Sequence, residues 1–498
     1  PKLDEILKKF KPDVAGISCM FTMTHKRMLR IAQRIKNLYN NTVVFVGGVH
    51  PTASAELILK EEKSIDFISL YEGDQSLPQL IDYINKKNND IKSVRQTGIL
   101  INNKYNQTEG RIAPAGNNVN FKPEYGDLEI KSYSNFGEIG AYRFWWKKNT
   151  IASTILSNRG CRARCSFCSV RNFNGKGVRA KSVQTVIDEL KGLKENYGIN
   201  HITWLDDDLL FDTDRTLNLF NEIVRNNLNL TWDASNGLIA SSTVAHPELI
   251  DAAEKSGCIG AYFGIESGNA QILRKIYKPS GIKHYLKLGE LMNKHEKIFT
   301  RGFLIIGFPD ETLSQVLDTI DVSKKMSLDW YTVQLLTPLP STEIYDQMVN
   351  VGKVKKDKLN LDGEGFTMFS VRESERQRKI EEKNKRDNSD FTNLLNANRS
   401  HVPTQKELND LWFLTDYEIN YKPIINQNNP NKLKKLECFL TDVSDRMTRD
   451  NPLSNYFLSI VKKKLNKNFE SENRMLLVHK YLEKSNYWKQ RFKTLNLN

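Results

Sequence analysis

Along the first part of the chain, short unbroken apolar runs alternate with stretches in which apolar residues recur every three or four positions. The runs predict buried strands at Val14–Ser18, Thr42–Val46 and Ile65–Leu70, and the spaced stretches predict helices at Leu3–Phe10, Lys26–Leu38 and Gln75–Ile84. Such βα alternation is the pattern of a parallel sheet with helices on its faces, a Rossmann-like domain. From about residue 91 to 145 the periodicity weakens. Asn, Gly and Pro scattered through Asn102–Tyr125 predict an irregular linker, with a boundary near residue 140.

Beyond that boundary six strand candidates follow one another: Thr150–Ser157, His201–Leu205, Leu230–Ser235, Ile259–Ile265, Thr300–Ile306 and Trp330–Leu336. A helical stretch comes after each of the first five. In Val183–Leu193 the apolar residues fall on one helical face and Gly198 supplies the stop, while Thr312 and Gln315 have capping-box spacing ahead of Val316. Six βα units in a row predict a partial (β/α)6 barrel of TIM type, whose chemistry belongs at the C-terminal ends of the strands. After residue 350 the pattern turns polar and helical, and the charged run Arg372–Arg386 reads as a solvated helix or linker. Leu411, Trp412, Phe413, Tyr456, Phe457 and Tyr481 have the spacing of a small helical core. The expected organisation is thus α/β, with domains at 1–140, 141–350 and 351–498 of the 498 residues.

Composition narrows the function. The net charge of +14 is spread along the chain with no basic stripe, so no nucleic-acid partner is expected. No apolar run is long enough to span a membrane and no signal-peptide core is present, which predicts a cytoplasmic protein. Six cysteines are too few for a disulfide scaffold, and three of them crowd into eight residues.

Those three form the segment Ser157-Asn-Arg-Gly-Cys-Arg-Ala-Arg-Cys-Ser-Phe-Cys168, directly after the first barrel strand. Cys161, Cys165 and Cys168, spaced C-x3-C-x2-C, can ligate three irons of a [4Fe–4S] cubane and leave the fourth iron open for catalysis. A structural zinc site would want a fourth Cys or His nearby, and a dithiol motif has no use for the third thiol. Cys19, Cys258 and Cys438 are isolated and read as buried, inert thiols, which leaves no material for a second cluster. Trp204-Leu-Asp-Asp-Asp208 places three carboxylates at a strand end, an arrangement that is costly unless a cation or hydrogen-bond donors lie among them.

The chain from about 148 to 350 resembles the radical S-adenosylmethionine (SAM) superfamily, and in particular its cobalamin-domain class of B12-dependent methyltransferases and oxidative ring-forming cyclases. The resemblance implies that the cluster binds SAM through its amino and carboxylate groups and cleaves it reductively. It further implies SAM contacts at Phe167 in the cysteine loop, Asp207 in the acidic row, Ser235 with Asn236 in the third strand, and Glu266 and Ser267 in Phe263-Gly-Ile-Glu-Ser267. Arg301 and Pro309, in Arg301-Gly-Phe-Leu-Ile-Ile-Gly-Phe-Pro-Asp-Glu-Thr312, are implied along the adenine. Asp310 and Ser341 stand where the family usually has Gly, and Asp tolerates the left-handed backbone such a turn asks for. Pro12–Ser18, Val46–Thr52 and Tyr71–Asp74 are similar to the cobalamin-binding domain of that class and imply contacts at Ser18, Gly47, Gly48, Glu72 and Gly73. The resemblance places that domain's first strand and its D-x-H-x-x-G segment before residue 1. His50 is expected to be a loop residue and not a cobalt ligand.

Three functions follow. The first is a cobalamin-dependent radical SAM methyltransferase acting on an unactivated carbon or a phosphinate of a small molecule, lipid or peptide, with an electron donor such as flavodoxin or ferredoxin. The second is a cyclase or rearrangement enzyme of the same architecture giving no methyl product, and the third is a non-catalytic cluster or ligand sensor. The C-terminal segment, with Trp412–Tyr421 and Asp450–Leu453, is similar to the helical tail of family members and is expected to close over the barrel mouth.

Overall fold

The structure is a computed structural model that describes residues 2–87, 90–110, 119–126, 128–134, 142–354, 394, 398–448 and 450–497. The run Arg372–Arg386 and the boundary near residue 140 lie outside the described residues. The chain forms two compact units, one built on Pro1–Val119, Arg164–Arg179 and Thr337–Phe366, the other on Asn120–Ala163, Ala180–Leu336 and Thr367–Asn498.

In the first unit the strands β1 (Val14–Ser18), β2 (Val43–Gly47), β3 (Phe67–Ser69), β4 (Thr97–Ile101) and β5 (Lys104–Gln107) lie side by side in that order. The first three are parallel, and β4 and β5 run antiparallel. Met28, Ala32 and Ile35, one face of the helix His25–Leu38, join Val44, Val46 and Ile68 in the core. The strands and helices expected here are present to within two residues at each end. The hairpin of β4 and β5 is a departure, because that stretch was expected to be an irregular linker. Asn102 and Asn103 make its two-residue loop with φ of 49° and 62°, the left-handed pair that a tight hairpin requires and that Asn accepts.

The second unit carries β6 (Ala152–Ile155). The short strands β7 (Asn158–Cys161) and β8 (Gly177–Ala180) flank the cysteine loop, and β9 (His201–Trp204), β10 (Thr231–Leu238), β11 (Cys258–Glu266), β12 (Phe299–Ile306) and β13 (Trp330–Leu335) follow. The large sheet runs β13-β12-β11-β10-β9-β6, every neighbouring pair parallel. Each new strand is therefore added on the same side, which winds an open six-stranded barrel and brings all six C-terminal ends to one rim. Every residue of β9 is buried, as is all of β11 except Ile259, as expected of strands covered on both faces. Outside lie helices whose ends match the sequence signals. Ser182 caps Val183–Tyr197, which stops at left-handed Gly198, and Thr312 with Gln315 forms the capping box of Leu313–Met326.

The C-terminal helices Gln405–Asp416, Pro430–Asp442, Pro452–Lys464, Asn468–Glu483 and Asn486–Thr494 bury Leu411, Trp412, Phe413 and Phe457. They were expected to close over the barrel mouth, and the described residues reach its rim where Leu313 N and Ser314 N, just past the end of β12, donate to His401 O (2.8 Å) and Arg399 O (3.0 Å). The helices also lie along the free edge of β13 and at the start of the strands. The Trp412 indole N–H donates to Val333 O (2.8 Å), and Asn420 accepts from Tyr331 N and donates to Tyr331 O (both 2.8 Å). Phe439 packs at a tilt against Trp330 and Phe299, the first residues of β13 and β12. The reason is physical: the outermost strand of an open barrel has unpaired peptide groups that must be satisfied once they are buried. Among the described residues no helix is long and apolar enough to cross a membrane. Cys19 and Cys258 are buried as expected, whereas Cys438 is partly exposed.

Candidate functional site

The acidic row after β9 holds the approach to the cysteine loop. Asp206, 3 % exposed, takes two hydrogen bonds from Ser157, from the backbone N (3.0 Å) and the hydroxyl (2.6 Å). Burial pushes its carboxyl up to about 6, against the pull of the Ser157 bonds. Asp207 is half-buried and accepts from Gly160 N and from the Asn236 amide, each at 3.3 Å. Asp208 takes the Arg162 guanidinium at 2.7 and 3.1 Å, and the Arg162 backbone N as well. Gly160 has φ of 94°, which this bend of the strand demands. The donors required to make three adjacent carboxylates tolerable are therefore the loop's own backbone and the arginine beside the first cysteine. Arg215 braces the same corner from below through Ser157 O (3.1 Å) and Lys181 O (2.9 Å). Ser157, Arg162, Asp206, Asp208 and Arg215 were not singled out from sequence. Only the D-D-D row hinted at them.

Cys161 ends β7, and Cys165 and Cys168 lie in the loop around a turn at Ser166–Phe167, where Cys168 N bonds Cys165 O (3.1 Å). All three thiols are partly exposed, and Ala163 N donates to the Cys161 sulfur at 3.4 Å. Phe167 is half-buried in the turn. In a cubane each thiolate takes a different iron, so the sulfurs need not converge on a point. Among the described residues no three His, Cys, Asp or Glu side chains do converge as a single-ion site requires. Three thiols carried on one short loop are the donor set that a cubane takes.

Cys165 and Cys168 line a cavity of about 630 Å³. Its lining also includes Val49, Thr52 and Ala53, from the short helix Val49–Ala53 after β2, and Tyr71, from the loop after β3. That is where a Rossmann-like sheet takes its ligand. Val49, Thr52, Ala53 and Tyr71 carry no formal charge, and such a lining suits the face of a broad macrocycle.

The residues expected around SAM fall into two groups. Asp207, Glu266 and Pro309 are at the rim, where β9, β11 and β12 end. Glu266 has φ of 65°, and its carboxylate lies 2.8 Å from the Lys278 ammonium. A Cβ on Gly264 would stand 2.6 Å from that nitrogen, so the glycine is what admits the lysine. The others are engaged inside the protein. Ser267 is fully buried beside the Thr319 hydroxyl (3.3 Å) and accepts from Asn269 N. Ser235 donates to Asp233, a fully buried carboxylate that also meets His201 (2.9 Å) and Thr203 (3.1 Å). Arg301 lies near the start of β12, 4.4 Å over the Tyr262 ring, and donates to the Thr332 hydroxyl.

Asp310 and Ser341, the two replacements for Gly, have φ of 60° and 70°. Both positions keep the left-handed backbone that glycine would favour. Glu311, missed from sequence, folds back so that its carboxylate accepts from Gly307 N (2.6 Å) and Phe308 N (3.2 Å), shaping the turn that presents Pro309.

On the N-terminal sheet Ser18 is exposed at the end of β1. Gly47 and Gly48 were expected to let a bulky ligand approach the backbone closely, and the fold around them is tight as well. A Cβ on Gly48, whose φ is 109°, would come within 2.7 Å of Cys19 O, and one on Gly47 within 3.3 Å of Ser69 O. Likewise a Cβ on Gly73 would meet Leu77 at 2.8 Å, and the Glu72 carboxylate is held by Arg179. His50 is not a loop residue. It sits in the short helix Val49–Ala53, 2 % exposed, with His25 at 2.8 Å from one ring nitrogen and Thr22 at 3.2 Å from the other. Burial and the neighbouring His25 push its pKa down to about 4, and with both nitrogens engaged it offers nothing to a cobalt.

Comparison with known proteins fits this geometry. Residues 155–322 match the radical SAM superfamily and residues 1–81 the B12 binding domain. The chain is 30 % identical over 348 residues to an uncharacterized methyltransferase of Pyrococcus horikoshii, covering 69 % of this chain and 71 % of that one. It is 23 % identical over 389 residues to cytidylyl-2-hydroxyethylphosphonate methyltransferase of Streptomyces wedmorensis, 71 % and 70 % of the two chains. Among solved structures, the cobalamin-dependent S-adenosylmethionine radical enzyme OxsB with aqua-cobalamin and S-adenosylmethionine bound shares the fold over 98 % of this chain and 78 % of its own, with a TM-score of 0.62 at 15 % identity. The cysteine loop at the mouth of a six-stranded barrel and the Rossmann-like sheet ahead of it are thus the two halves of one known plan, and the chain belongs to the radical SAM superfamily, among the enzymes that carry a B12 binding domain.

Proposed function

We propose that this enzyme is a cobalamin-dependent radical SAM methyltransferase that methylates an unactivated carbon or a phosphinate of a small molecule, lipid or peptide. The observation that carries the reading is the cavity in which Cys165 and Cys168 face Val49, Thr52 and Tyr71, because it opens the strand ends of a B12-type sheet toward the cluster ligands. When bound, the cluster supplies the electron that cleaves the SAM sulfonium, and the cobalamin supplies the carrier for a methyl group. The chain's own part is to hold Cys161, Cys165 and Cys168 by the acidic row, and to present Asp207, Glu266, Phe167 and Pro309 to SAM. Ser235, Ser267 and Arg301 shape that site from behind. Ser18, Gly47 and Gly48 shape the cobalamin wall. In this reading residues 1–140 bind cobalamin, 141–350 form the radical SAM barrel and 351–498 close its edge, while a cytoplasmic flavodoxin or ferredoxin donates the electron.

The test is anaerobic reconstitution with iron, sulfide, SAM, reductant and cobalamin, followed by mass spectrometry. Formation of both S-adenosylhomocysteine and 5′-deoxyadenosine is expected. Deoxyadenosine alone, with no cobalamin kept through gel filtration, overturns the methyltransferase reading in favour of a cyclase or rearrangement enzyme. Loss of iron in the Cys161→Ala, Cys165→Ala and Cys168→Ala chains checks the ligand set.

A further inference from the structure

A chain of contacts runs through the first unit from the proposed cobalamin wall to the cysteine loop. Thr52 donates to Gly48 O (2.8 Å) and accepts from Tyr71 N (2.9 Å). That bond holds Tyr71, whose φ is 59°, against the cavity it lines. The next residue, Glu72, is fixed through its backbone by the fully buried amide of Gln96 (3.2 Å). Its carboxylate meets Arg179 in a two-pronged pair, with the guanidinium Nη1 at 2.9 Å from Oε2 and Nη2 on Oε1. The same guanidinium donates to Asn174 O (3.0 Å), at the end of the helix Val170–Asn174 that begins two residues after Cys168. The two side chains are only 14 % and 7 % exposed. A fork-to-fork pair with this little solvent fixes distance and angle in a way a lone ammonium cannot.

We propose that Glu72 and Arg179 are positioning residues whose pairing sets the spacing between the cobalamin wall and the cluster cysteines, and thereby the share of SAM that goes to methyl transfer. The inference rests on the methyltransferase reading. Neither Glu72 nor Arg179 is among the residues that line the cavity beside Cys165 and Cys168. The pair acts through Tyr71 on one side and the Val170–Asn174 helix on the other. A loosened pair leaves both cofactors bound but poorly registered, so that SAM is still cleaved at the cluster while transfer through the cobalamin falls.

The experiment compares the parent chain with Glu72→Gln and Arg179→Lys, the second keeping the charge and losing the fork. In each, iron and cobalamin content are measured after reconstitution, and the ratio of S-adenosylhomocysteine to 5′-deoxyadenosine is followed with SAM and reductant. Hydrogen exchange of residues 71–74 and 170–179 is read on the chain before any cofactor is added. Expected are unchanged iron and cobalamin, faster exchange in both segments, and a ratio lowered at least fivefold in E72Q and less in R179K. An unchanged ratio with faster exchange overturns the coupling role, as does unchanged exchange in both variants. Loss of cobalamin in E72Q with no loss in R179K overturns it too, and makes Glu72 a cofactor contact. A parent chain that forms no S-adenosylhomocysteine fails the methyltransferase reading instead, and the exchange result then stands by itself.

Discussion

The guanidinium of Arg162, next in sequence to the first cluster cysteine, forks onto the carboxylate of Asp208 at 2.7 and 3.1 Å, and so ties the loop to the end of β9. Asp208 has a nearly inaccessible side chain, while Arg162 keeps 44 % of its own exposed. The loss on removing the carboxylate is therefore mostly that of charge-assisted bonds, about 1.5–3 kcal/mol. Asp208→Ala should leave the barrel folded but lower the iron retained per chain after desalting, with a matching fall in 5′-deoxyadenosine. Iron content equal to the parent's, measured colorimetrically, would show that the loop holds its shape without this anchor.

A second prediction concerns pH. Burial pushes the Glu311 carboxyl from near 4.5 up to about 7, although the Gly307 and Phe308 N–H groups pull the other way. The folded chain thus keeps a proton where the unfolded chain has released it. The stability this group contributes is complete below about pH 4.5 and is lost as pH rises through about 7, at no more than about 1.4 kcal/mol per pH unit. Glu311→Gln keeps an acceptor for the turn and removes the titration. Its thermal midpoint should change less between pH 5 and pH 7 than the parent's, and equal slopes would contradict the assignment.

Ser341 offers a test of backbone conformation. With φ of 70°, a β-branched side chain there meets the left-handed penalty of about 1–2 kcal/mol, whereas glycine does not. Ser341→Val should lower the thermal midpoint and Ser341→Gly should hold or raise it. The reverse order would mean that the side chain, and not the backbone, decides the position.

The edge of β13 yields a fourth prediction. Asn420→Ala removes both bonds to Tyr331 and leaves a buried N–H and C=O unpaired, at a cost of about 1–3 kcal/mol each. Chemical denaturation should report that loss. A change below about 0.5 kcal/mol, the usual size for surface substitutions, would mean that water replaces the amide.

Much of this molecule could be read from its sequence, and the parts that could not share a cause. The barrel strands announced themselves because parallel strands buried on both faces are continuous apolar runs, and their helices carried end signals in Ser182, Gly198, Thr312 and Gln315. The three cysteines were legible because a cluster draws its ligands from one short loop. The hairpin of β4 and β5 was hidden by its Asn102–Asn103 turn, which looks like linker composition until both residues are seen in the left-handed region. Glu72 with Arg179, and Asn420 with Tyr331, join residues 107 and 89 positions apart. No local pattern encodes such a partner. The same holds for Ser267, whose hydroxyl lies beside that of Thr319, 52 positions on.

The amide of Asn420 does for the outermost barrel strand what a further strand would otherwise do. By occupying both peptide groups of Tyr331, with Trp412 on the next outward carbonyl, it denies that margin to any extended polypeptide. A peptide presented to this enzyme could not be recognised by lengthening the sheet there, and would have to be read at the rim by its side chains.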